Sequence, residues 1–362
     1  MGVFRRLTKP LLIFVVTFVL SVAFIYGYEI QKYSLTINDN IPLEYETSDN
    51  HDEVQNIAKT RVSIGIYPLE VYDIDFQRNT YKMVAYVWMV WDRQHSLVVD
   101  EGLYPPSTFE IMNLVDSWDY KQTELINTTM SDDYQYYLMK IDGTFFQDFD
   151  VSQYPLDRQV LTITFEDVEW LDTEVIFIPD LEDTRLQDGI SIPGWKINKI
   201  DYLSDTHIYD SKFGYIDDNK SYAYSQLSFR IYIERPIQFF VFKFVFPLFI
   251  IILFSLISLW MPINQFEVRI ALSGSSLLNL VFLQQLYNDK IIATRQLVLM
   301  DMLYIWAYVS IILTLLELIY SHYEHTKNVA EQKIILRNRT YFVIHMLVFT
   351  ILVGYAVISN IS

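Results

Sequence analysis

The chain has 362 residues, room for two ordinary domains; it is 52% hydrophobic and carries a formal net charge of −17. Most of the acid lies between about residues 38 and 220, and such a surface excludes nucleic acid as a partner, because backbone binding needs clustered Lys and Arg, while cations are drawn to it. No cysteine is present, which excludes disulfides, thiolate metal sites and a cysteine nucleophile.

At the N-terminus, Arg5, Arg6 and Lys9 precede an apolar run over 11–24. Residues 1–30 therefore read as a signal peptide, with Ser21-Val22-Ala23 as a small-x-small cleavage site, or as an uncleaved anchor, since apolar residues continue to Tyr26. Either way, the polypeptide beyond this run leaves the cytoplasm. Residues 31–59 are polar and without period, a loose leader segment or short helix.

From 60 to 234, short alternating runs rich in Val, Ile, Tyr, Phe and Trp are broken by Asp, Asn, Gly and Pro. The runs 81–91, 160–165 and 228–233 are half-buried strands by this pattern, and many short strands with turn signals predict an all-β, immunoglobulin-like sandwich.

Residues 235–362 predict an all-α domain of four membrane helices at about 237–260, 266–289, 296–320 and 339–360. Each can cross a hydrocarbon layer of about 30 Å, which takes roughly 20 helical residues. The first two are joined by the tight Met261-Pro-Ile-Asn-Gln265 turn, the last two by a charged linker carrying Lys327, Lys333, Arg337 and Arg339. Basic residues favour the cytoplasmic side, which places residues 60–234 outside and the chain in the cell (inner) membrane.

The second crossing is polar for a membrane helix, with Ser273, Ser275, Ser276, Asn279, Gln284 and Gln285. Polar side chains there must face protein or water. Ala271, Ser275, Leu278, Phe282, Gln285 and Asp289 are spaced by four, three, four, three and four, which places them on one stripe. That stripe suits a pore wall, with Leu278 and Phe282 as a dewetting constriction. It equally suits a polar face buried inside an ordinary bundle.

Several motifs punctuate this order of elements. The run from Asp148 to Gln159 has an aromatic-Pro-x-Asp core at Tyr154, Pro155 and Asp157. Residues 64–72 read Ile-Gly-Ile-Tyr-Pro-Leu-Glu-Val-Tyr, Gly194-Trp195 precedes a late strand, Glu234-Arg235-Pro236 precedes the first crossing, and Phe266-Glu-Val-Arg269 opens the second. Together they resemble the pentameric ligand-gated (Cys-loop-type) receptors, and in particular their bacterial members. The run 148–159 resembles the family's signature loop without its two cysteines, whose places fall near Phe146 and Val160.

The resemblance implies a homopentameric, ligand-gated channel, with membrane lipid around its outer face and permeant cations within. Arg235 would contact Asp157, with Asp75 or Asp73 from the first strand loop, as a transmission joint that includes Tyr154 and Pro155. The linker from Tyr287 to Gln296 would form its other half. Bacterial relatives carry proline there, where this chain has Ile292-Ala293-Thr294. Glu267 would form a carboxylate ring at the cytoplasmic mouth and Asp289 one at the outer mouth, favouring cations. The family's basic residue at the place of Arg269 turns away from the lumen. The histidine midway along the pore helix of proton-gated relatives is replaced by Leu280.

Agonists of the family bind between subunits under a mobile loop, here about 203–223. Candidate aromatic walls are Tyr86, Trp88, Trp118, Tyr120, Trp170, Tyr209, Tyr215 and Tyr222. Aromatics beside acids hold an ammonium against the ring face, and the agonist is then a small molecule, or a proton. Tyrosines this abundant also serve as packing. Outside the family, the chain reads as a non-conducting membrane sensor. Motifs of metalloproteases, serine hydrolases and phosphate loops are absent from the sequence, so neither catalytic residues nor a cofactor are expected. Asp180-Leu-Glu-Asp183 fits no calcium loop and no metal site is expected.

Overall fold

In the computed structural model the described residues are 43–47, 60–151, 154, 156–211, 222–288 and 299–361. The segment 1–30, expected to be a signal peptide or anchor, lies outside them. Chain contacts divide the molecule into a β unit, residues 39–149 and 158–234, and a helical unit that includes 150–157 and 235–362.

Among its described residues the β unit has eleven strands: β1 (Leu43–Thr47), β2 (Thr60–Asp75), β3 (Thr80–Asp92), β4 (Phe109–Ile111), β5 (Leu114–Val115), β6 (Lys121–Thr129), β7 (Tyr134–Phe146), β8 (Arg158–Asp167), β9 (Val175–Pro179), β10 (Lys196–Tyr209) and β11 (Tyr222–Glu234). They form a five-stranded sheet, β1-β10-β11-β8-β4, and a six-stranded one, β5-β7-β3-β2-β9 with β6 on β7. The two-period alternation explains the packing. In β3, Tyr81, Met83, Ala85, Val87, Met89 and Trp91 are buried, while the residues between them face outward. Ile64 and Ile66 from the same sheet are buried together with Leu161, Ile163, Phe229 and Ile231 from the other. Polar ties cross the core: Tyr81 Oη donates to Thr162 O at 2.6 Å, and Phe177 N donates to Ser225 Oγ at 2.9 Å. This is the expected all-β sandwich.

One expectation changes here. Residues 43–47 lie within the supposed leader but form β1, which runs parallel to β10 from Leu43↔Ile200 to Thr47↔Ser204. The strand is held by cross-strand charge, Glu44 with Lys199 and Glu46 with Arg230, each at 2.7 Å. Such pairing depends on a strand far along the chain and leaves no local period.

Among the described residues, four helices are long and apolar enough to cross a membrane, with spans of 20, 23, 27 and 25 residues. The first helix comprises Ile237–Phe240, a π turn at Val241–Val245, Phe246–Ile257 and a 3₁₀ turn at Ser258–Trp260. Pro247 explains the widened turn: its ring has no N–H and crowds the carbonyl four residues back. The second helix is Phe266–Asn288, the third Leu299–Thr326 and the fourth Glu331–Ile361. The third thus runs past the expected end at 320, and the fourth starts well before 339. The charged linker shrinks to residues 327–330, because Arg337 lies on the fourth helix and bonds Glu317 Oε1 at 2.7 Å and Glu324 Oε2 at 2.6 Å on the third. A hydropathy window discards these charged turns although their charges are paired.

Candidate pore face, coupling joint and ligand patch

The second helix has two faces. Arg269, Ser273, Ser276, Leu280 and Tyr287 are buried within the helical unit. Glu267, Ala271, Ser275, Leu278, Phe282 and Gln285 are all exposed, Leu278 at 56% and Phe282 at 59%. The polar residues are divided between the two. Ser273 Oγ lies 2.7 Å from Ser255 Oγ on the first helix, and Gln284 accepts from Tyr308 Oη at 2.6 Å, so part of the polar content serves bundle packing. The five described residues of the stripe, together with Glu267, face away from that packing. Asp289, expected at its far end, lies outside the described residues. Leu280, standing where proton-gated relatives have histidine, is fully buried. His345 is buried too, with Nδ1 2.9 Å from Ser310 Oγ.

A second constellation joins the loop after β7 to the helices. Arg235 Nε donates to Asp157 Oδ1 at 2.7 Å, with the side chains 9% and 1% exposed, and Arg235 N donates to Asp157 O at 3.3 Å. The guanidinium carbon stands 5.0 Å from the centre of the Tyr154 ring. Tyr154 in turn packs edge-on against Phe244 at 6.1 Å and against Tyr287 at 5.9 Å, and Tyr287 reaches Tyr304 at 5.4 Å. Burial raises the Tyr154 phenol above its usual value, opposed by Arg235. The Tyr287 hydroxyl is buried with no hydrogen-bond partner among the described residues. Asp75, by contrast, caps its own turn, accepting from Gln77 N at 2.8 Å and Arg78 N at 3.0 Å. Asp73, at a positive φ of 53°, is 3.9 Å from Lys82. Pro155 and the linker 289–298 lie outside the described residues.

The aromatic candidates of the β unit do not converge in one chain. Tyr86 and Trp88 stand on the outward face of β3 in the six-stranded sheet. Trp88 packs so closely over Gly65 that a Cβ there would lie 2.1 Å from its ring, and its Nε1 donates to Asp180 Oδ2 at 2.8 Å. Trp118 is 82% exposed. Tyr120 donates to Gln122 Oε1 at 3.1 Å, and burial pushes its phenol up to about 12. Tyr209 and Tyr222 belong to the other sheet, where they are register partners across β10 and β11, and Trp170 lies in the loop after β8. Tyr215 lies outside the described residues.

Around Tyr209 the structure adds residues the sequence did not single out. Glu166, at the end of β8, is buried and accepts from Tyr209 Oη at 2.6 Å and Gln226 Nε2 at 2.9 Å, while His207 Nδ1 lies 2.8 Å away. The His207 and Tyr209 rings are 4.2 Å apart, and Tyr224 lies 5.8 Å from Tyr209. Three polar side chains from two strands, converging on one buried carboxylate, lock the β10–β11 hairpin to β8. The signal was only the alternation of His207 and Tyr209 on one strand face. The neighbouring Asp167 is also buried, capping Trp170 N at 2.8 Å and accepting from Thr108 Oγ1 at 2.9 Å. Among the described residues no group of three or more His, Asp and Glu forms a metal cluster.

No protein-family model matches the chain. A proton-gated ion channel of Gloeobacter violaceus is 22% identical over 272 residues, 72% of this chain and 73% of the relative. This chain resembles a bacterial pentameric ligand-gated channel. The match and the order of β-sandwich and four membrane-length helices agree with the motif resemblance. The chain is a multi-pass membrane protein with a large extracellular β domain.

Proposed function

We propose that the chain is the subunit of a homopentameric, ligand-gated, cation-selective channel, with the second helix lining the pore. One observation supports this above the others: Glu267, Ala271, Ser275, Leu278, Phe282 and Gln285 share the face that the helical unit leaves open. Repeated around a fivefold axis, Glu267 gives a carboxylate ring at one mouth, and Leu278 with Phe282 gives an apolar girdle that dewets when narrow. Asp289 would add a second ring.

In this reading the Arg235–Asp157 pair and the Tyr154–Tyr287 stack transmit movement of the β domain to the pore helix. The pair is continuous in the chain with two strand ends that are themselves partners, Arg158 of β8 and Glu234 of β11. A shift of the β8–β11 ladder therefore pulls on both members at once. Asp75 is assigned the same joint by resemblance, from a turn it caps itself. The agonist, a small amine or a proton, would act at the outward face of β8, β10 and β11 around Trp170, Tyr209 and Tyr222. Tyr86, Trp88, Trp118 and Tyr120, on the other sheet's side of the sandwich, would belong to the neighbouring subunit's half of the site.

The short connection between the third and fourth helices, residues 327–330, gives a cytoplasmic partner little to hold, which argues against a non-conducting sensor. The test is current from the full chain in oocytes or planar bilayers while pH and small amines are varied. Leu278→Ser should open the channel at lower agonist or without it. Unaltered gating in that variant would remove Leu278 from the gate.

A further inference from the structure

At the end of the helical unit where the second helix begins, a polar network ties all four helices together. Arg269 is fully buried, and its Nε donates to Ser258 O of the first helix at 2.9 Å. Asn338 on the fourth helix stands between Arg269 and the third. With its amide donating to Ser321 Oγ and Glu317 Oε1, both at 2.9 Å, its oxygen accepts from Arg269 Nη2 at 3.1 Å. The opposite orientation would aim its oxygen at acceptors alone. Glu317 is then bonded by Arg337 at 2.7 Å, and Arg337 reaches Glu324 at 2.6 Å while lying 4.6 Å over the Tyr320 ring. Two arginines and two glutamates thus balance inside a helix bundle.

We propose that Arg269 is a positioning residue for ion selectivity, the anchor that fixes the rotation of the second helix so that Glu267 faces the lumen. This rests on the reading of that helix as the pore wall. Residues two apart on an α-helix point roughly 200° away from each other, so drawing Arg269 into the bundle turns Glu267 outward. Turning the helix by one residue step would bring Val268, already 51% exposed, to the place of Glu267. It would also drag a buried guanidinium away from Ser258 O and Asn338, and a buried charge without its partners is strongly disfavoured. The fork geometry matters: one guanidinium reaches a carbonyl with Nε and an amide with Nη2, a span that a lysine ammonium cannot reproduce from a single nitrogen. Glu317 and Asn338 therefore act on the pore mouth from helices that do not line it.

The native chain has no cysteine, so helix rotation can be read directly. Single Glu267→Cys and Val268→Cys variants of the full-length protein in liposomes are labelled with a charged, water-soluble thiol reagent. Each is then combined with Glu317→Gln, Asn338→Ala or Arg269→Lys. The 267-to-268 rate ratio should favour 267 in the parent and fall several-fold in each combination. In a second readout, Glu317→Gln and Asn338→Ala with Glu267 intact should move the reversal potential in a NaCl gradient toward zero. An unchanged labelling ratio, even in a protein that melts earlier, would overturn the anchor and leave the network a structural tie. A shifted ratio in a protein that carries no current in any variant would support the anchor and count against the channel reading. Arg269→Lys labelling like the parent would overturn the need for the fork.

Discussion

The two ends of the helical unit each bury an arginine, and the two are bonded in opposite ways. Arg235 pairs at 2.7 Å with Asp157, which sits in a loop, and leans on the Tyr154 ring. Among the described residues Arg269 bonds no carboxylate; it is held by the Ser258 carbonyl and by the Asn338 amide, which itself donates to Glu317 on the third helix. A pair whose carboxylate sits in a loop can move with that loop, whereas a network drawn from four helices resists rotation. The comparison assigns motion to the first end and fixity to the second.

The largest expected effect breaks the first end. Arg235→Ala removes the cation bonded to the buried Asp157 carboxylate, which should cost about 3–5 kcal/mol of stability and abolish gating, read by thermal unfolding and by current. If the protein still assembles, its selectivity should be unchanged, and a shifted reversal potential there would erase the distinction between the ends. Asn338→Ala should be milder, about 1–3 kcal/mol for the groups it leaves unsatisfied, with gating retained and selectivity weakened. Loss of gating without a selectivity change would invert the comparison. The smallest effect is in pH. Burial raises the Tyr154 phenol above its ordinary value, which is near 10. The folded state therefore keeps that proton where the unfolded chain releases it. The contribution is complete below about 10 and is lost as pH rises through the raised folded value. Tyr154→Phe should flatten this alkaline decline in a melting-temperature series. An unaltered slope would show that Tyr154 is not the group responsible.

The same contrast explains what was legible in the sequence. The strand period over 81–91 and the four apolar runs are local patterns, and the structure follows both. The stripe of Ala271, Ser275, Leu278, Phe282 and Gln285 was legible for the same reason, because helical spacing alone puts those residues together. Ser273 and Ser276, in the same run of serines, turn inward, and only the positions of the first and third helices decide that. Arg337 falls in the expected linker because charge lowers hydropathy, and its partners Glu317 and Glu324 lie on another helix. Likewise β1 is held by Lys199 and Arg230, far along the chain. The aromatic candidates were gathered by composition, and sheet topology separates Tyr86 and Trp88 from Tyr209 and Tyr222. Glu166 stood out in no pattern, since its role comes from three side chains on β10 and β11.

The central claim is that the exposed stripe of the second helix lines a cation pathway with Glu267 at its mouth. Its most direct test is the reversal potential of the full chain in planar bilayers across a NaCl gradient, in Leu278→Ser protein with and without Glu267→Ala. The account predicts a reversal potential near the sodium equilibrium value that moves toward zero when Glu267 is removed. A potential set by chloride, or one that Glu267→Ala leaves in place, would contradict it.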